Sequence, residues 1–516
     1  VVLPRTGAEP ICLLDAQVVT ADAARPRAQA LAMRDGRIIA VGSNADVRDA
    51  AGGHARIFDC GGRTVAPGFV DPHVHLLALA RSASSVDLSP SRVDTMAKLG
   101  RALGAAAGRV PPGCWVRGYG YDEFYLHERR HPTRYDLDRA VPGRPVRIRH
   151  RSRHASVLNS SALRIVAARV PGLLDAEGVE RDRTSGEPTG VMYELDAALR
   201  AVIPRVGVEE LRIALRQASM RLLAAGVTTV DDASASTGPE EWALLCGAVA
   251  DGAIWQRLRA LWGVQRYGLP ADAAVTAVKL MLDEDGGHDG GFHELLEAAH
   301  RQGMQVAVHA VEGPAIAVAV AAFRDVLARW PRLHRHRIEH CALCPTPLAE
   351  QIAALDLVVV AQPGFLAHVG DRYVAEVPAS EQRWLYPLRT LLACGVRVAG
   401  SSDAPVGPLS PLVGIDAAVN RRSRRGTPVV VEESLSLDAA LRLYTTGGAY
   451  AAGLDAVCGR LAPGYAADVV LLDRDVTRTR VEHLSETSVV GLFVRGRYVS
   501  MGDLDANRID GAAHGG

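Results

Sequence analysis

Hydrophobic positions near both ends of the chain come in short runs that alternate with polar residues or stop at turn formers. In the first sixty or so residues these runs fall at 11–19, 28–34 and 37–41, and Asp35-Gly36 between the last two is a pair that a two-residue hairpin turn prefers. A few such strands cannot bury a core by themselves. The same texture returns at 467–472 and 489–494, where Arg495-Gly496 turns the chain toward Tyr498. The two ends are therefore expected to build one small β-sandwich domain, from residues 1–65 and 456–516, with the chain between them as a self-contained insertion.

Between those ends the pattern changes. Strand-like apolar runs at 227–230, 258–262, 277–282, 305–309, 337–340, 357–360 and 396–400 are interleaved with amphipathic segments such as 292–302, 315–330, 348–354 and 388–393. Strands alternating with helices over this length predict an α/β fold, a parallel (β/α)8 barrel of the TIM type, across residues 66–455. An open doubly wound sheet is the alternative, but no glycine-rich phosphate fingerprint follows any run. Residues 80–206 fit the alternation poorly. They hold Pro111-Pro112-Gly113, the aromatic-rich Tyr119-Gly120-Tyr121-Asp122-Glu123-Phe124-Tyr125 and a basic stretch at 144–154. This region is expected to be a subdomain inserted after the first barrel strand, over the barrel mouth.

Composition narrows the classes of function. The 58 basic and 58 acidic residues balance, which removes a general electrostatic case for nucleic acid or an anionic membrane and leaves a small molecule as the expected partner. Apolar stretches are broken well before the roughly 20 residues of a spanning helix. Val1-Val2-Leu3-Pro4-Arg5 lacks the features of a signal peptide, so a cytoplasmic location is expected. The eight cysteines are scattered except for Cys341-Ala-Leu-Cys344, which without a second pair reads as two packed thiols.

The chemistry-bearing residues stand where apolar runs stop. Val65 to Val70 leads into Asp71-Pro72-His73-Val74-His75, two histidines spaced i, i+2 at a strand end. Lys279 sits inside the run 277–282, where an unpaired ammonium is costly, so it needs a partner or a modification. His309 and His340 end their runs, and Asp403 follows Gly400-Ser401-Ser402. In a parallel barrel these five strand ends point into one mouth, where active sites of that fold lie. Two other features read more blandly. His293-Glu294-Leu295-Leu296-Glu297 misses the second histidine of a zincin helix and is taken as a solvated helix start. The stretch 144–154 alternates, with Arg147, Arg149, Arg151 and Arg153 on one strand face and Val146, Ile148, His150 and His154 on the other, apolar side. It is read as a charged outer face, with an arginine reaching an anionic substrate group as the alternative.

With these residues in place, the chain resembles the amidohydrolase superfamily, and within it the metal-dependent hydrolase branch that includes N-substituted formamide deformylases. The likeness runs over nearly the whole length. It is carried by Ala66 to His75, Pro132 to Asp138, His154 to Ser160, Gly186 to Val191, Val278-Lys279-Leu280, His309-Ala310, Arg337-Ile338-Glu339-His340, Gly400 to Pro405 and Gly459 to Val470. Two departures bear on the substrate: residues 281–291 are shorter than this branch leads one to expect, and Arg151-Ser152-Arg153 is an unusually basic approach to His154.

The resemblance implies two divalent metal ions, zinc by preference. His73, His75 and Asp403 would hold one, His309 and His340 the other, and Lys279, converted by carbon dioxide to a carbamate, would bridge them. Charge counting agrees, because two dications beside neutral imidazoles leave about one residual positive charge once Asp403, a carbamate and a hydroxide are included. The implied reaction is hydrolysis of a C–N bond at a carbonyl, an N-formyl or other N-acyl amide, with Asp403 as the catalytic proton carrier. His154, Tyr121 and Asp122 are carried over as substrate contacts. A deaminase or cyclic-amide hydrolase on the same barrel is the alternative enzyme, and a non-catalytic small-molecule-binding protein is the alternative of another class, although its expected mark, a lost ligand, is absent. By analogy with the superfamily a homodimer is expected.

Overall fold

The computed structural model describes residues 9–500 except 84, 112, 205, 206, 273, 289 and 290. The N-terminal residues 1–5 and Pro112 read above lie outside that set. The described chain divides into two compact units, one made of residues 9–76 and 219–500 and the other of Leu77–Ala218.

The terminal strands meet in shared sheets. The run 11–19 is not one strand: Asp15 takes left-handed backbone (φ 51°), and Ile11–Leu14 and Gln17–Val19 enter different sheets. The run 28–34 divides in the same way into Arg27–Ala28 and Ala30–Arg34. One sheet has the order Arg37–Gly42, Ala30–Arg34, Ile11–Leu14, Arg56–Asp59. In the other, Val469–Leu472 lies antiparallel to Thr64–Pro67, which joins strands from opposite ends of the chain. Leu13, Leu31 and Met33 of the first sheet share a buried cluster with Val18, Val65, Val469 and Phe493 of the second. Asp35-Gly36 and Arg495-Gly496 each have positive φ at both positions, as a tight hairpin turn requires.

Outside residues 77–218, the described strands of the middle region that pair with one another run parallel. Phe69–Val74 pairs with Val227–Asp232, which pairs with Arg257–Ala260. A second sheet runs in order through Trp262–Gly263, Ala277–Met281, Gln305–Ala310, Arg337–His340, Val358–Ala361 and Arg397–Gly400. The run 258–262 is thus split at Leu261, and the described ladders form two sheets, not one closed ring. Past the ladder ends, the Asp403 N–H donates to the His73 carbonyl (2.8 Å) and the His75 N–H to the Ala404 carbonyl (2.9 Å), joining the last strand's exit to the first strand's. Burial on both faces explains the near-continuous apolar runs. The amphipathic segments are helices at Phe292–Arg301, Gly313–Arg329, Thr346–Ala354 and Leu388–Ala393. Among the described residues, no helix is long and apolar enough to cross a membrane.

The unit Leu77–Ala218 has a mixed six-stranded sheet in the order Val179–Arg181, Pro188–Tyr193, Ala155–Leu158, Val146–His150, Val116–Tyr121, Val86–Asp87. Strand alternation gives it two cores: Val157 and Val191 face one cluster, and their neighbours Leu158 and Met192 face another. The basic stretch departs from expectation. Its strand ends at His150, and Arg147 is buried (8% exposed) because Asp196 reaches both it and Arg149. The arginine face is an ion-paired seam, since a guanidinium placed inside a unit needs a carboxylate.

Candidate metal centre

His73 lies in the strand Phe69–Val74 and His75 just past its end. Pro72 within that strand offers no N–H, but its carbonyl accepts Arg337 Nη2 at 2.8 Å. His309 is in Gln305–Ala310, His340 ends Arg337–His340, and Lys279 is the middle residue of Ala277–Met281. The rings form a contiguous row, with centroids 5.3 Å apart for His75 and His73, 4.9 Å for His73 and His340, and 4.5 Å for His340 and His309. Asp403 Oδ1 lies 2.9 Å from His75 Nε2 and 3.6 Å from His73 Nε2. One ligand atom from each of His73, His75 and Asp403 falls within 4.8 Å of the others. His340, Cys341 and Asp403 have left-handed backbone (φ 73°, 50° and 53°), which costs roughly 1–3 kcal/mol per non-glycine residue and collects at working sites.

The electrostatics suit cation binding. Burial, assisted by the Lys279 charge, holds His73 well below the usual imidazole range; burial and then the neighbouring His340 do the same for His309, and burial takes His340 to about 3. These three rings are therefore neutral at pH 7 and carry a lone pair. Burial lowers Lys279 to about 8, against the opposing pull of Glu339. Burial pushes the Asp403 carboxyl up, but His75, His73 and Lys279 together outweigh it and leave it below its ordinary value. Lys279 Nζ is buried with no hydrogen bond, and Asp403 Oδ1 is buried with only the His75 and His73 ring nitrogens beside it. A polar atom left so in a dry interior is costly unless something else occupies its lone pair or neutralises its charge.

Polar side chains that the sequence did not single out surround this set. Asp71 accepts the Ser402 hydroxyl (2.5 Å), the Ser402 N–H (3.1 Å) and the His73 N–H (3.2 Å). Gln362 Oε1 is 2.9 Å from His340 Nδ1, and Ser234 Oγ is 3.0 Å from His75 Nδ1. Glu339 reaches both His73 Nδ1 and Arg337. The signal for the last pair was present: Arg337 and Glu339, two apart in a buried strand, must share a face.

The three residues carried over as substrate contacts all belong to the unit Leu77–Ala218. Tyr121 is wholly buried, with its hydroxyl 3.0 Å from His131 Nδ1. Asp122 is buried with Arg151 Nε 2.7 Å from one oxygen and the Phe124 N–H 3.0 Å from the other. His154 does not face an apolar side. It follows Arg153, whose φ of 69° turns the chain out of the strand direction, and its side chain is 69% exposed beside Glu194 (2.7 Å). Asp122, Glu123 and His150 also lie close enough together to hold an ion, but the Arg151 guanidinium already supplies Asp122 with its counter-charge, and the group is an ion-paired knot.

A row of four imidazoles, three of them held neutral by their surroundings, ending in a buried carboxylate at the exits of parallel strands, suits the binding of a divalent metal ion. The chain belongs to the amidohydrolase family, whose model matches residues 56–500. It is 31% identical to an N-substituted formamide deformylase from Arthrobacter pascens, over 94% of this chain and 97% of that one. It is 28% identical to a putative amidohydrolase, YtcJ, from Bacillus subtilis, over 87% and 91%. Among solved structures, an uncharacterized metal-dependent hydrolase from Pyrococcus furiosus superposes with a TM-score of 0.69 at 27% identity, covering 90% of this chain and 99% of that one. The protein is accordingly a hydrolase acting on carbon–nitrogen bonds other than peptide bonds.

Proposed function

We propose that this chain hydrolyses an N-formyl or related N-acyl amide at a binuclear metal centre, on a (β/α)8 barrel that closes between Arg397–Gly400 and Phe69–Val74 beside a β-sandwich formed by the chain ends. The observation that carries the reading is the buried Lys279 Nζ without a hydrogen bond, together with the buried Asp403 Oδ1 that only ring nitrogens approach, at a row of four imidazoles. His73, His75 and Asp403 would hold one divalent ion, zinc by preference for imidazole and carboxylate donors, and His309 and His340 the other. Lys279, whose lowered pKa leaves a neutral fraction near neutral pH, would attack carbon dioxide through its amine, form an N–C bond and release a proton, and the resulting carbamate would serve as an anionic donor shared between the two sites. Bound there, the ions supply Lewis acidity toward a carbonyl and lower the pKa of water.

This chain's own residues do the rest. The neutral rings keep their lone pairs inward, and the surrounding apolar strands exclude bulk solvent. Asp403 accepts a proton as water adds to the carbonyl carbon, then delivers it to the nitrogen as the C–N bond breaks, giving an acid and an amine. The formamide deformylase relative supports an N-formyl substrate.

Metal analysis of the purified protein, paired with a turnover screen over N-formyl, N-acyl and cyclic amides, tests the reading. About two metal equivalents and release of formate or another acid are expected. One equivalent with ammonia release from an amino-substituted ring would establish the deaminase alternative instead. Ligand binding without turnover of any amide would establish a binding protein.

A further inference from the structure

Asp231, Arg337 and Glu339 form a charged chain that crosses the interior beneath the row of histidines, and all three side chains are fully buried. Arg337 donates through Nη1 to Asp231 Oδ2 (2.9 Å), through Nη2 to the Pro72 carbonyl (2.8 Å) and through Nε to Glu339 Oε1 (2.5 Å). Its fork thereby engages three strands at once, and Nη1 also reaches the Ala451 carbonyl (3.3 Å). The second oxygen of Glu339 contacts His73 Nδ1. Glu339 accepts from Arg337 through one oxygen and faces His73 Nδ1 with the other, the arrangement in which His73 carries its proton on Nδ1 and keeps the Nε2 lone pair, 3.6 Å from Asp403. Without that constraint a neutral imidazole would be free to place the proton on Nε2, the tautomer that cannot bind a cation from this position.

We propose that Glu339, clamped by Arg337 and through it by Asp231, is the positioning residue that selects the metal-binding tautomer of His73 and tunes the affinity of the ion held by His73, His75 and Asp403. This rests on the two-metal reading of the site, and the experiment separates failure of one from failure of the other. The full chain is stripped of metal and titrated with Zn2+ by calorimetry and with Co2+ by its visible absorption, as wild type, Glu339→Gln, Glu339→Asp and His73→Ala. In parallel, 15N-labelled histidine spectra of the stripped protein report the His73 tautomer, assigned by its loss in His73→Ala.

The expected result is that Glu339→Gln weakens one of two equivalents by about 10- to 100-fold, the range for outer partners of a ligating histidine, and that this is the equivalent lost in His73→Ala. Glu339→Asp, which keeps the charge, should recover part of the affinity. In the stripped wild type the His73 signal should be that of the Nδ1–H form, and in Glu339→Gln it should be mixed. Should Glu339→Gln fail to fold, Asp231→Asn loosens the same clamp one step away and should weaken the same equivalent by a smaller factor. Unchanged affinity with an unchanged tautomer would overturn the assignment of Glu339. A wild type that binds no ion but shows the Nδ1–H form and loses it in Glu339→Gln would uphold the positioning and sink the metal reading alone.

Discussion

Asp403 and Lys279 carry the chemistry of the proposed centre, and each makes a separate prediction. Asp403→Asn preserves shape and one ligand oxygen but cannot take a proton from water. Turnover should fall by at least about 10²-fold while metal content is mostly kept, measured by elemental analysis and initial rates on the same sample. Near-normal turnover would remove Asp403 from the proton pathway. Lys279→Ala removes the proposed bridge and leaves a space about the size of a small carboxylate. The variant should lose the metal pair and activity, and added formate or acetate should partly restore both; retention of two ions at normal turnover would show that no bridge exists. His73, His75, Lys279, His309, His340 and Asp403 were legible because each interrupts or ends an apolar run. Glu339 and Asp71 were not singled out, because a carboxylate's partner is fixed by strands far apart in sequence, Phe69–Val74 with Arg337–His340 and with Ser402. His154 was misplaced for a different reason: alternation was carried past His150, where the strand ends, into a turn in which Arg153 takes left-handed backbone.

At the scale of elements, two contacts explain how the strand ends are held. Tyr444 is buried between the strand Arg397–Gly400 and the helix Pro411–Asn420, where a Cβ on Gly400 would meet its ring at 2.6 Å and one on Gly414 its hydroxyl at 1.8 Å. Gly414→Ala should therefore lower stability by about 1–3 kcal/mol or more through overpacking, seen as a fall in the denaturant midpoint. At the opposite, starting ends of the strands, His336 Nδ1 accepts the Val306 N–H (2.9 Å), so its Nε2–H donates to His300 Nδ1 (2.8 Å), and His300 Nε2–H donates to the Trp330 carbonyl (2.7 Å). Burial depresses both rings, His336 strongly, with His334 and Arg332 adding to it. The unfolded chain binds protons near pH 6.5 that the folded one refuses. Stability should accordingly fall as pH drops below about 6.5, and the urea midpoint of the metal-free protein should decrease from pH 7.5 to 5.5. A flat midpoint would mean that the relay accepts a proton in place. Periodicity located most of these strands and helices to within a residue or two, since parallel buried strands and amphipathic helices are what it reads directly. It missed the breaks at Asp15, Gln29 and Leu261, because the apolar pattern continues while the chain changes sheet.

For the whole molecule, the division into Leu77–Ala218 and the remainder has thermodynamic consequences. Each unit has its own buried clusters: Leu103, Ile148 and Val191, together with Leu163 and Leu199, in the first, and Val65, Val469 and Phe493 in the sheets of the second. All six proposed metal-holding residues lie in the second. A ligand that binds only the folded form stabilises what it binds by RT ln(1 + [L]/Kd), about 2.7 kcal/mol at a hundredfold excess over Kd, and a unit that does not hold it gains nothing unless the two unfold together. Calorimetry should therefore resolve two transitions. Chelation should lower the one belonging to residues 9–76 and 219–500 by several degrees and leave the other in place, with Lys279→Ala reproducing the chelated profile without chelator. Peptide mapping after brief proteolysis between the transitions should identify the unit that opens first. A single transition that moves as a whole on chelation would show that metal binding stabilises the inserted unit as well, and that the chain unfolds as one cooperative body despite its separate cores.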